Sequence, residues 1–103
     1  MFLLVLCTVP EGETGSNIAR ALVHEGLAAC VNLLPGLTSV YRWEGQVGEN
    51  RETLLLIKTT QERYAALEAR IGSLHPYQVP EIVAIRLETG LASYLDWLAQ
   101  STR

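Results

Sequence analysis

The apolar positions of this chain fall into blocks with different rhythms. Phe2 to Val9 (FLLVLCTV) is apolar almost without a break and ends at Pro10-Glu11-Gly12. A short continuous apolar run closed by turn residues predicts a central strand buried on both faces. Ser16 to Gly26 changes to helical spacing. Ile18, Leu22 and Glu25 lie along one ridge, Ala19 and Val23 along the next, and Gly26 stands where a helix C-terminal cap belongs. Ala28 to Leu34 predicts a second strand, and Pro35-Gly36 marks it as an edge strand or one carrying a bulge. The strand resumes over Thr38 to Glu44, with Val40, Arg42 and Glu44 on one side and Ser39, Tyr41 and Trp43 on the other. Gly48-Glu49-Asn50 reads as a hairpin turn, and Glu52 to Thr60 as the returning strand. Arms of about nine residues, roughly 30 Å, exceed the usual strand and predict a projecting tip.

The second helix carries the clearest signal. Thr59-x-x-Glu62 fits a capping box, and Tyr64, Leu67, Ile71 and Leu74 recur on one helical face. His75-Pro76-Tyr77-Gln78-Val79-Pro80-Glu81 cannot continue it, because two prolines fix φ and push their predecessors to extended geometry. Ile82 to Leu87 predicts a fourth strand. After Thr89-Gly90, residues Leu91, Tyr94, Leu95 and Leu98 form the apolar face of a short last helix. The order is βαββαβ with an extra C-terminal helix. One α+β domain over residues 1–103 accommodates it, a ferredoxin-like antiparallel sheet with helices on one face and a long hairpin between the second and third strands.

Such a sheet should be polar on the face its helices leave open. Here the first and third strands are apolar at consecutive positions, so both faces are apolar. Composition sharpens the point. The 103 residues are 49% hydrophobic and only 18% charged, against about 25% charged in an ordinary domain. The expectation is that further copies of the chain cover the second face in a closed ring. The formal net charge of −3 argues against a nucleic-acid partner, since phosphate binding wants a basic face. No apolar run approaches the ~20 residues of a membrane span, and none has the flanks of an export signal.

The candidate chemistry is sparse. Cys7 and Cys30 form no C-x-x-C pair and are expected to be reduced thiols. His75, Tyr77 and Glu81 share one proline-pinned loop at the end of a strand, a common place for function. Cys7 and His75 could meet only if the first strand runs past that loop. Together they would be an incomplete centre, because structural zinc wants four ligands. No Ser-His-Asp or Cys-His constellation can be assembled, so the chain does not read as an enzyme. Gly12-x-x-Gly15-Ser16 lacks the lysine of a phosphate loop and is flanked by Glu11 and Glu13.

Taken in order, Leu6-Cys7-Thr8, Ala29-Cys30-Val31-Asn32, Tyr41-x-Trp43-x-Gly45, Lys58-Thr59, His75-Pro76-Tyr77-x-Val79-Pro80-Glu81 and Tyr94-x-x-Trp97-Leu98 closely resemble the CutA divalent-cation tolerance family. The resemblance spans almost the whole chain, and the His-Pro-Tyr block is its most diagnostic part. It implies a domain related to the PII-like signalling proteins, a cytoplasmic homotrimer, and a role in tolerance to copper or another divalent cation. The residues matching the family's proposed metal ligands are Cys7 and His75; a second histidine that can precede the block is Leu74 here. Two other readings follow from the same residues. One is a PII-like small-molecule sensor with its ligand in intersubunit clefts near Tyr41, Lys58 and the His75 loop. The other is a scaffold for a partner protein.

Overall fold

The computed structural model describes residues Met1–Arg103. Its elements run β1 (Phe2–Pro10), α1 (Thr14–His24), β2 (Cys30–Trp43), β3 (Gln46–Thr60), α2 (Gln61–Leu74), β4 (Val83–Arg86) and α3 (Ala92–Gln100). The strands form one antiparallel sheet in the order β2-β3-β1-β4. This is the expected ferredoxin-like arrangement with an added C-terminal helix.

The core lies between the sheet and helices α1 and α2. Alternate β1 residues Val5, Cys7 and Val9 pair across to Ile57, Leu55 and Thr53. These side chains pack with Ile18 and Leu22 of α1 and Leu67 and Ile71 of α2, and nearly all are fully buried. Helix α1 ends as its sequence predicts. The Leu27 amide donates to the Leu22 carbonyl and the Gly26 amide to the Val23 carbonyl, the paired bonds of a glycine-closed helix end. Gly26 has φ +70°, and a Cβ there would stand 2.5 Å from the Arg103 carbonyl oxygen. Only glycine suits both demands.

Three local expectations are corrected. The hairpin turns at Glu44-Gly45, where φ is 50° and 77°, a two-residue loop with both positions left-handed. Gly48 lies within β3 instead. A Cβ there would come within 3.0–3.2 Å of the Tyr41 ring, so this glycine admits a side chain from the opposite strand and makes no turn. The arms consequently reach 14 and 15 residues, and the molecule extends 44 Å along its long axis. The capping box does not form. Thr60 is the N-cap of α2 and makes no side-chain cap bond, while the Thr59 hydroxyl is buried and donates to the Leu27 carbonyl, 2.6 Å away. Finally, α3 does not bury its expected apolar face. Leu98 is enclosed, but Leu91, Tyr94 and Trp97 remain exposed. The Pro35-Gly36 expectation holds in both forms, since β2 is an edge strand and its register shifts between Leu34 and Leu37.

The other face of the sheet carries Leu4, Leu6, Leu54 and Leu56, all partly exposed, with Leu34, Val83 and Ile85 at 50–54% exposure. No segment of the chain covers it completely.

Candidate functional site

Where β1 outruns β4, one carbonyl gathers the candidate chemistry. The last β1–β4 pair is Leu6 with Val83. Just beyond, the Nε2–H of His75 donates to the Thr8 carbonyl at 2.8 Å. Its Nδ1 accepts the Tyr77 amide at 3.2 Å. A ring that donates from one nitrogen and accepts at the other is a neutral imidazole with both nitrogens engaged. His75 is buried, and its ring packs against Tyr77 with centroids 4.6 Å apart. The Cys7 thiol points to the same Thr8 carbonyl at 3.8 Å. Cys7 is fully enclosed on the helix side. Burial, and then the charges of Glu81 and Glu52, push its thiol up to about 12.

Tyr77 carries the loop over to the opposite face of the sheet. Its hydroxyl donates to Glu52 Oε2 at 2.5 Å. Burial and that bond raise the phenol well above its usual range. Glu52 is itself buried, at 5% exposure. The residues 76–81 and the outer half of the hairpin thereby frame a cavity of about 770 Å³, whose walls include Thr8, Tyr41, Trp43, Glu52, Tyr77 and Glu81. The Asn50 amide donates to the Tyr41 hydroxyl at 2.6 Å and fixes that ring on the wall. A family model described as CutA1 divalent ion tolerance protein matches residues 3–101.

The chain belongs to the CutA divalent-cation tolerance family. It is 56% identical over 99 residues to the divalent-cation tolerance protein CutA of Thermus thermophilus, covering 96% of each chain. Among solved structures it resembles a protein from Archaeoglobus fulgidus described as a periplasmic divalent cation tolerance protein CutA, with a TM-score of 0.96 at 34% identity over 100% of both chains. It also resembles a PII-like protein CutA from Nostoc in apo form, with a TM-score of 0.91 at 38% identity over 100% of this chain and 98% of that one. The CutA fold is therefore shared with a PII-like protein. No helix of the chain is long and apolar enough to cross a membrane.

Within this CutA chain, Cys7 and His75 are brought to one point, but neither is a free ligand there. A soft ion binds thiolate and a free imidazole nitrogen. Here the thiol holds its proton and both ring nitrogens are bonded. No group of three or more His, Cys, Asp or Glu side chains assembles around them or elsewhere. This donor set does not fit a tight metal centre. Lys58 does not line the cavity within this chain. It pairs across the sheet with Cys30 and bonds to Asn32. Nothing in the local sequence pattern marked Glu52 as part of the site. Its one available signal was its alternation with Asn50, which puts it on the hairpin face that also carries Ser39 and Tyr41.

Proposed function

We propose that this chain acts in divalent-cation homeostasis, chiefly toward copper, as a cytoplasmic homotrimer that contacts metal only weakly, through Cys7 and His75. The observation that supports this most is the convergence of both side chains on the Thr8 carbonyl. Weakness follows from what metal must displace: the Cys7 proton and at least one His75 hydrogen bond, in a buried setting. The uncovered apolar sheet face supports assembly, because so large an apolar surface is otherwise left to water. Two free thiols suit a reducing compartment. Titration with Cu(I) under reducing conditions tests the metal contact. Weak saturable binding is expected in the wild type, reduced at least tenfold in Cys7→Ser and in His75→Ala. Equal binding in all three contradicts it.

A second reading is favoured by one observation, the cavity between the His75 loop and the hairpin. In that reading the family's tolerance phenotype depends on a small molecule held there, as in a PII-like sensor, and metal contact is secondary.

A further inference from the structure

Glu52 is a carboxyl group in an unusual position. It is 95% buried by its 5% exposure, and its one side-chain hydrogen bond comes from the neutral Tyr77 hydroxyl at Oε2. The ion pairs of the chain lie elsewhere, at Arg51–Glu11 and Arg70–Glu25. A buried carboxylate is costly unless a cation or several donors satisfy it. Glu52 has neither within the chain; its unpaired Oε1 is not sealed off, and the residue forms part of the wall of an open cavity of about 770 Å³. Glu81 adds a second carboxylate to the same wall; Arg42 is the one cationic side chain there, and it is not paired with Glu52. Tyr41, Trp43 and Tyr77 add aromatic rings, with Tyr41 and Trp43 41–44% exposed. Ring faces attract cations and repel anions.

We infer that the cavity binds a small organic cation, an ammonium or guanidinium group on an apolar or aromatic body, with Glu52 as its counter-charge and the Tyr41 and Trp43 rings against its body. This rests on reading the cavity as a ligand site and names the class of ligand. The free Oε1 of Glu52 accepts the ligand's N–H, while Tyr77 holds Oε2 and so fixes the carboxylate. A carboxylate or phosphate ligand of the same size meets two like charges instead.

A matched pair of probes separates charge from shape. Phenethylammonium and 3-phenylpropionate share a phenyl ring and a two-carbon arm and differ in the sign of the head group. The assembled wild-type protein is titrated with each by calorimetry, and the tryptophan emission is followed. The expected result is saturable binding of phenethylammonium at one site per chain, at least tenfold tighter than 3-phenylpropionate. Glu52→Gln keeps an acceptor for Tyr77, removes the charge, and is expected to weaken phenethylammonium at least tenfold. Tyr41→Ala removes an exposed ring without touching the core, and weakens it also should Glu52→Gln fail to fold. No phenethylammonium binding, or binding unaffected by either variant, overturns the inference. Preferential binding of 3-phenylpropionate that Tyr41→Ala abolishes overturns it too, while leaving the cavity standing as a ligand site.

Discussion

The two faces of the β1–β3 pair are built from the same strands and meet opposite fates. On one face Val5, Cys7, Val9, Leu55 and Ile57 are fully buried beneath α1 and α2. On the other, Leu4, Leu6, Leu54 and Leu56 are only partly covered, and their neighbours Val83 and Ile85 are half exposed. The side chains are alike; what differs is whether the chain has an element left to cover them. Helix α3 packs against β3 and buries Leu98 but does not complete the cover, and it leaves Tyr94 and Trp97 exposed as well. Apolar faces that a fold leaves open are the kind of surface found at interfaces. The His75 loop joins the two faces. His75 bonds on the β1 edge and Tyr77 reaches Glu52 on the uncovered side.

The contrast between the two faces is sharpest at Ile85. In the proposed trimer, Ile85→Glu places a charge in an apolar interface. Size-exclusion with light scattering should show assembly lost while circular dichroism keeps its helix and strand signal. On a solvent-facing strand the same change would shift stability by no more than about 0.5 kcal/mol and leave the mass unchanged. On the covered face, Leu55→Ala should cost about 2–5 kcal/mol in denaturant unfolding, the usual result of a cavity in a packed core. Tyr77→Phe tests the link between the faces. Losing a bond to a charged group should cost about 1.5–3 kcal/mol.

The smallest effect lies in the pH profile. Cys7 folds with its thiol pushed up to about 12 from an ordinary 9.0. A raised thiol favours the folded state only while the thiol is protonated in both states. That contribution is therefore complete below pH 9.0 and is lost as pH rises toward 12. Tyr77 adds a decline of the same sign at higher pH. Stability followed from pH 8 upward should fall more gently in Cys7→Ala than in wild type across the lower part of that range. Parallel curves would remove Cys7 from the account.

The sequence made the sheet legible because its cues were local: a continuous apolar run for β1, helical spacing in α1 and α2, and Gly26 as a stop. It misled where two residues of one type had different uses. Gly45 and Gly48 both look like turn glycines, and only the opposing Tyr41 ring distinguishes them. Thr59 and Thr60 both look like caps, and only the Leu27 carbonyl, 32 residues away, claims Thr59 for the core. The candidate site was half legible for the same reason. His75, Tyr77 and Glu81 are adjacent in sequence and stood out together. Glu52 joins them through a contact 25 residues distant, which no local pattern announces. That both His75 nitrogens are engaged, and that the Cys7 thiol is sealed, depends on the register that carries β1 past β4.

The uncovered face is the centre of the account, and molecular mass in dilute buffer tests it most directly. Sedimentation equilibrium at micromolar chain concentration should return three times the 11.4 kDa of one chain. A mass of 11.4 kDa, with the chain folded, would mean that this apolar face stands in water unaided, and the account would be wrong.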